Sequence, residues 1–292
     1  MNVDEQIVHS MFPLEQHTYT KTGGTADVFV KPKHIDDLQT IVHYAKNHQI
    51  PLTILGNGSN VLVRDKGLRG IVVALEYFDQ IHVDGASITA GSGAKIIDVS
   101  RTALEYHLTG LEFACGIPGS VGGALVMNAG AYGGETSTVL KKATVLSHEG
   151  ELITLGEDDF HFGYRKSVFT EKDYIILEAV FELKPGSYEE IKESMDTFTA
   201  LRESKQPLEY PSCGSVFKRP TGYFAGKLIQ DSGLQGTRIG GAEISTKHAG
   251  FIVNVDGASS SDYLQLIRHA QQTVLEKFGV QLETEVKIIG EE

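Results

Sequence analysis

Leu55-Gly56-Asn57-Gly58-Ser59-Asn60 and Gly116-Ile117-Pro118-Gly119-Ser120-Val121-Gly122-Gly123 are the two stretches on which the fold turns. A short apolar strand, Ile50 to Leu55, runs straight into the first. Successive N–H groups in a tight glycine turn form an anion-binding nest. Ser59 and Asn60 add side-chain donors suited to phosphate oxygens. Alone, this loop reads equally well as a plain turn. In the second loop small residues let a ligand lie against the backbone, and Pro118 stiffens the entry. Ser120 is placed either to cap a helix or to meet a phosphate. The run continues through Met127-Asn128-Ala129-Gly130-Ala131-Tyr132-Gly133-Gly134, with seven glycines from Gly116 to Gly134. Close packing explains two or three of them. Two small-residue loops without a Walker lysine point to a large, extended diphosphate cofactor.

Outward from these loops the chain alternates strands and helices. Asp27 to Val30 reads as a strand, and Ile35, Leu38, Ile41, Val42 and Ala45 recur at helical spacing. Val61 to Val63 and Ile71 to Leu75 are strand-like. Ile81 to Asp84 with Ile88 to Ala90, and Val139 to Leu146 with Leu152 to Leu155, read as hairpins. Ile97, Ser100, Arg101, Leu104 and His107 mark a helix between them. Tyr174 to Leu183 is a further strand and Tyr188 to Ser204 an acidic helix. The last part reads strand (Ser215 to Phe217), helix (Tyr223 to Gln230), strand (Gly250 to Val255), helix, strand (Val286 to Ile289). Its long helix carries Leu264, Ile267, Val274, Leu275 and Phe278, with Asp262 near the start and Gly279 at the stop. The class is mixed α and β with many antiparallel hairpins, not a doubly wound sheet.

Composition narrows the function. The 292 residues suffice for two or three domains. Lys plus Arg number 26 against 38 Asp plus Glu, a net charge of −12, which argues against general nucleic-acid binding. Cys115 and Cys213 are too few for a disulfide scaffold and lack ligand spacing, so both read as reduced packing thiols. The histidines show no metal-ligand spacing, and no metal is expected. Met1 to Phe12 lacks the basic and apolar regions of a signal peptide. No run approaches the ~18 apolar residues of a membrane helix. A soluble cytoplasmic enzyme is expected, with no nucleic acid or membrane partner. There is no P-loop, HExxH or GxSxG. Gly56-Asn57-Gly58 and Gly91-Ser92-Gly93 both lack the third glycine of the Rossmann fingerprint.

With the two loops and Asn128-Ala129-Gly130-Ala131-Tyr132-Gly133, three more segments complete a pattern. They are Gly163-Tyr164-Arg165-Lys166-Ser167, Cys213-Gly214-Ser215-Val216-Phe217-Lys218 and Leu282-Glu283-Thr284-Glu285-Val286. In this order, from about Lys21 to Gly290, the chain resembles the MurB family, the UDP-N-acetylenolpyruvoylglucosamine reductases. The resemblance implies an α+β, FAD-binding fold of the vanillyl-alcohol-oxidase type in two subdomains, 1–80 and 81–203. A C-terminal α/β substrate-binding domain, 204–292, would follow. It implies non-covalent FAD held by Gly56, Asn57, Gly58, Ser59, Asn60, Gly116, Ile117, Gly119, Ser120, Gly122 and Gly123. NADPH would be the hydride donor, and a UDP-sugar enolpyruvyl ether the substrate. The reaction belongs to peptidoglycan precursor synthesis, and so to cell-wall biogenesis, cell shape and division. A monomer is expected.

By motif match Ser215 is the proton donor, and Arg165 and Glu285 complete the catalytic set. Tyr164, Lys205, Arg219 and His248 are placed as substrate contacts. Arg219 stands where the family often has asparagine, and an arginine suits a diphosphate. The 70 positions from Ser215 to Glu285 match the family's shorter, second type. Hydride addition to the enolpyruvyl double bond leaves an enolate-like charge that needs stabilising donors and a placed acid. Arg165 offers a fork of donors, although a lone arginine reads first as a surface ion pair. An ionised Glu285 would repel the enolate. Its neighbours Val286, Ile288 and Ile289 lead us to expect a raised pKa and a neutral, donating carboxyl. Read alone, Ser215 is a buried strand serine. Two other readings remain: a different FAD oxidoreductase of the same fold, acting on another sugar or alcohol, and a nucleotide-binding module that has lost its chemistry.

Overall fold

The computed structural model describes residues 3–292. Met1 and Asn2, which begin the stretch read as lacking a leader, lie outside the described residues. The chain divides into two compact units, each gathered from separate stretches. The first comprises 3–9, Val28–Asn57 and Gly70–Arg202, and the second Ser10–Asp27, Gly58–Arg69 and Glu203–Glu292.

The first unit is built on a five-stranded antiparallel sheet. Its order is Leu152–Gly156, Leu140–Leu146, Ile175–Glu182, Ser87–Gly91, Ile81–Asp84. The central strand is apolar on both faces because both are covered. Ile176, Ala179 and Phe181 point into one core with Val99, Val121 and Leu125, while Ile175 and Leu177 point into another with Leu38, Ile41 and Val73. Helix Ile35–Asn47 closes the second core through Leu38, Ile41, Val42 and Ala45, the face expected from its spacing. Helix Ile96–Glu105 differs from expectation. It buries Ile96, Val99, Ser100 and Ala103 rather than the stripe through Ile97 and Leu104. Ser100 is admitted to the core because its hydroxyl donates to the Leu111 carbonyl at 2.7 Å. His107 lies past the helix end, at a φ of 57°. Strand Leu52–Leu55 pairs in parallel with Ile71–Ala74, and Leu55 is 3% exposed where it enters the first glycine loop.

The second unit carries an antiparallel sheet ordered Ser212–Ser215, Phe251–Asn254, Ala242–Ile244, Arg238–Ile239. Helices Ala225–Asp231 and Ser260–Phe278 share a core with it. The long helix buries Tyr263, Leu266, Ile267, Ala270 and Val274, whereas Leu275 and Phe278 are exposed. It begins with a reciprocal cap. Ser259 Oγ accepts from the Asp262 N–H at 3.1 Å, and the Asp262 carboxylate accepts from the Ser259 N–H at 2.9 Å. Asp65 accepts the next two N–H groups, of Ser260 and Ser261. Burial pushes the Asp65 pKa up, but the hydrogen bonds from Ser261 and Ser260 outweigh it and hold the carboxyl below its ordinary value. Gly279 ends the helix at a φ of 68°, as anticipated. Val61–Val63 pairs in parallel with Lys287–Ile289, and Leu62 is fully buried in this unit's core. Among the described residues no helix is long and apolar enough to cross a membrane.

Candidate active site

Within the first unit, Gly56 of the first glycine loop meets Ser120 of the second. A Cβ on Gly56 would lie 2.6 Å from Ser120 Oγ. Gly56 does not have a positive φ, so it serves close approach rather than a turn. Ser120 takes the capping role of the two open to it. Its Oγ accepts from the Gly123 N–H at 3.3 Å, at the start of helix Val121–Val126. The two N–H groups between are also taken, Val121 by the Ala94 carbonyl and Gly122 by the Ser92 carbonyl, each at 2.8 Å. This explains Gly91-Ser92-Gly93. A Cβ on Gly91 would lie 2.2 Å from the Phe78 carbonyl oxygen, and one on Gly93 2.0 Å from that of Leu75. The segment is a closely packed backing for the second loop. Gly122 and Gly123 remain half-buried above the fully buried Val121 and Leu125, so the loop's outer side is backbone rather than side chain. Gly116, Ile117 and Pro118 are likewise half-buried, and Gly119 is buried. Small residues and uncharged donors suit a dinucleotide lying against the main chain.

The Tyr164-Arg165 pair sits at the tip of a tight turn closed by two bonds. The Gly163 N–H donates to the Lys166 carbonyl at 3.0 Å, and the Lys166 N–H donates to that of Gly163 at 3.1 Å. Arg165 is half-buried with a φ of 56°, costly for a residue with a Cβ. Its guanidinium lies 5.4 Å from the centre of the Tyr164 ring, which is exposed. Two buried side chains hold the turn. Asn128 Nδ2 donates to the Gly163 carbonyl at 3.3 Å, and Ser167 Oγ donates to that of Val126 at 2.8 Å. Asn128 Oδ1 also accepts the Ser137 N–H at 2.9 Å. Asn128 was not singled out from sequence. Its φ of 42° is one that asparagine tolerates better than most residues, and that was the available signal.

In the second unit the backbone brings Ser215 and Glu285 together. Val216 O accepts the Glu285 N–H at 2.8 Å, and Phe217 bridges Thr284. Asn60, from the first glycine loop, donates from Nδ2 to the Glu285 carbonyl at 3.3 Å. Ser215 ends its strand, opposite Phe251, and is exposed. This corrects two readings. The strand spans Ser212–Ser215 rather than Ser215 to Phe217, and Ser215 is not a buried strand serine. The reason is a register shift between Ser212 and Ser215, beyond which Val216 and Phe217 turn to the C-terminal segment. Glu285 is half-buried beside the buried Val286.

His248 joins this group. The Gly250 N–H donates to its Nδ1 at 3.1 Å, and its ring meets Phe251 edge-on at 4.8 Å. The Gly250 carbonyl accepts the Val216 N–H, so His248 is two bonds from the Ser215 segment. Burial holds the imidazole below its ordinary pKa, the neutral state that accepts from Gly250. The Arg219 guanidinium stacks 3.9 Å from the Phe224 ring centre, both side chains being exposed. Lys205 is exposed at the end of helix Tyr188–Lys205, and no hydrogen bond joins it to the Ser215 group. Gly58 has a φ of 65°, and a Cβ there would lie 2.3 Å from the His17 carbonyl oxygen, so any side chain is excluded. Cys115 and Cys213 are free and buried, and burial pushes both thiols up, that of Cys213 to about 12. Neither is an activated nucleophile.

Two small-residue loops in contact at Gly56 and Ser120, with a serine and a glutamate joined by backbone register in the other unit, are the parts expected of a flavin-binding oxidoreductase with its own substrate unit. Comparison with known proteins agrees. Residues 26–156 match the FAD binding domain model, and residues 206–289 match the C-terminal domain of UDP-N-acetylenolpyruvoylglucosamine reductase. The chain is 64% identical over 279 residues to UDP-N-acetylenolpyruvoylglucosamine reductase 2 of Bacillus cereus, covering 96% of this chain and 92% of that one. It is 58% identical over 288 residues to the reductase of Shouchella clausii, covering 99% and 93%. The crystal structure of the Thermus caldophilus enzyme superposes with a TM-score of 0.84 at 33% identity, covering 97% and 99%. The glucose dehydrogenase Phl p 4.0202, at 16% identity and a TM-score of 0.53 over 64% of this chain and 43% of its own, shares the fold alone. The chain belongs to the UDP-N-acetylenolpyruvoylglucosamine reductase family.

Proposed function

We propose that this protein is the NADPH-dependent flavoenzyme that reduces UDP-N-acetylglucosamine enolpyruvate to UDP-N-acetylmuramate. The observation that carries the reading is the backbone register laying Glu285 beside Val216, which joins Ser215, Glu285 and His248 into one group. The loops at Gly56–Asn60 and Gly116–Gly123 would hold FAD through backbone donors and small side chains. FAD, when bound, supplies the hydride it has taken from NADPH. Ser215 gives a proton to the carbon next to the one that receives hydride, and its exposure leaves the hydroxyl accessible to a ligand. Glu285 acts in its neutral form, donating where an ionised carboxylate would repel the developing enolate. Arg165, presented by a turn anchored at Asn128 and Ser167, supplies a fixed fork of donors for the substrate carboxylate. His248, Arg219, Tyr164 and Lys205 are assigned to the nucleotide sugar. Residues 1–80 and 81–203 are assigned to the flavin part and 204–292 to the substrate part, supported by where the two family models fall, with Ser10–Asp27 and Gly58–Arg69 packing in the unit that holds 204–292. The working enzyme is a cytoplasmic monomer.

The test is an anaerobic visible spectrum. A yellow protein that bleaches with stoichiometric NADPH, and regains its colour only on addition of UDP-N-acetylglucosamine enolpyruvate, is the expected result. A bleached protein that stays bleached would transfer the assignment to another FAD oxidoreductase. A colourless protein that does not take up FAD would overturn the reading.

A further inference from the structure

Helix Tyr188–Lys205 docks along one face against the start of the second glycine loop. Cys115 Sγ lies 3.6 Å from the Met195 carbonyl oxygen and 3.8 Å from Thr199 Oγ1. One position before Thr199, Phe198 stacks on Tyr132, with ring centres 4.5 Å apart and planes inclined by 4°. The next residue on this face is Arg202. A Cβ on Gly116 would lie 2.8 Å from Arg202 Cδ and 3.6 Å from its Nε. The guanidinium is partly buried, and no hydrogen bond or ion pair ties it to any described residue. The ionisable groups that act on it are Tyr132 and Cys115, and burial pushes both of their pKa values up, so neither is an anion at neutral pH. Burial also lowers the pKa of Arg202 itself. A cation removed from water without a counter-charge is costly, and such positions are normally paired.

The glycine loop beside it lacks what Arg202 offers. Gly116 to Gly134 contains no lysine or arginine. The first three N–H groups of helix Val121–Val126 are committed to Ala94, Ser92 and Ser120. Those three N–H groups are therefore not available to an anion, and the loop itself brings no positive charge to one. We infer that Arg202 is the cation of the second glycine loop, and that it pairs with a phosphate of the flavin dinucleotide. The inference rests on the FAD reading above. Gly116 lacks a side chain because the Arg202 stem occupies that space. The docked helix presents the fork at a fixed height over the loop.

The experiment compares wild type, Arg202→Gln and Arg202→Lys. FAD binding to apoprotein is followed by quenching of flavin fluorescence, and bound FAD by its two ³¹P resonances. The expected weakening of FAD is about 10- to 100-fold for Arg202→Gln, the usual range for a lost charged hydrogen bond. Arg202→Lys should be intermediate, keeping the charge without the fork, and should displace a diphosphate resonance from its wild-type position. A merely structural role would not move that resonance. FAD affinity within twofold of wild type in Arg202→Gln, or unchanged ³¹P shifts in Arg202→Lys, would overturn the inference. So would a variant that keeps FAD but loses affinity for the nucleotide sugar or for NADPH, which would assign Arg202 to their phosphates. If Arg202→Gln does not fold, the lysine variant decides alone. Wild-type apoprotein that takes up no FAD would instead overturn the cofactor reading.

Discussion

Replacing Gly56 by alanine isolates the contact between the two glycine loops. The new Cβ would lie 2.6 Å from Ser120 Oγ, with Ser120 Cβ at 3.8 Å and the Gly123 nitrogen at 3.9 Å. The backbone at position 56 accepts any residue, so the penalty comes from that one oxygen. Ser120 must rotate, and its bond from the Gly123 N–H is lost. A lost N-cap costs about 1 kcal/mol. A buried hydroxyl left without its partner costs about 1–3 kcal/mol more. The expected loss for Gly56→Ala is roughly 2–4 kcal/mol, a fall in apoprotein Tm of about 4–16 °C at the scale of a large domain. In a Ser120→Ala background the offending oxygen is gone and only ordinary contacts remain. There Gly56→Ala should be neutral, or stabilising by up to about 1 kcal/mol through the stiffer unfolded chain. The double-mutant cycle should return a coupling of at least ~1.5 kcal/mol. Urea unfolding followed by circular dichroism serves, since the chain has no tryptophan. An equal cost of Gly56→Ala in both backgrounds would refute the reasoning.

Three further outcomes are expected. Ser215→Ala should leave flavin reduction by NADPH within about twofold of wild type and slow reoxidation by substrate some 10²- to 10⁴-fold, the span of general acid catalysis. Stopped-flow absorbance separates the two, and equal slowing of both would remove Ser215 from the proton step. Asn128→Ala should cost about 1–3 kcal/mol for its two buried bonds and speed amide exchange at Gly163 and Lys166. Unchanged exchange there would mean that Asn128 does not hold the Arg165 turn. For His248, burial lowers the folded pKa, so the unfolded chain protonates first as the pH falls. Stability is then fully present above about pH 6.5 and declines as the pH drops through the folded value. His248→Gln should flatten the fall in urea midpoint between about pH 7 and 5, and profiles that ran parallel would show that His248 does not cause it.

The sequence made the long elements legible because their hydrophobic periods are strong. Leu38, Ile41, Val42 and Ala45 occupy the face their spacing assigns. The start and the glycine stop of helix Ser260–Phe278 followed from Asp262 and Gly279, whereas its cap, Ser259, emerged only from the structure. Faces failed where apolar residues flank the buried stripe, as Ile97 beside Ile96 and Leu275 beside Val274. The Arg238–Ile244 hairpin was too short to show a period. The glycine loops and the Ser215 and Glu285 segments could be located as motifs, but their grouping depends on registers with no local signature. Arg202 stayed hidden because a helix rich in charge gives no sign that one of its arginines faces away from water.

The pairing of Val61–Val63 with Lys287–Ile289 has a consequence for synthesis. Asn60 and Glu285, which bond across the start of that ladder, are separated by 225 residues. At ~5–20 residues per second a ribosome needs roughly 10–45 s to deliver the second partner after the first. Throughout that interval Leu62 has emerged without the core it will fill. A gene fragment beginning at Glu203 would meet the opposite problem, having the core but not the strand that completes it. A circular permutant that joins the two ends and opens elsewhere would shorten the wait and should reduce losses during expression.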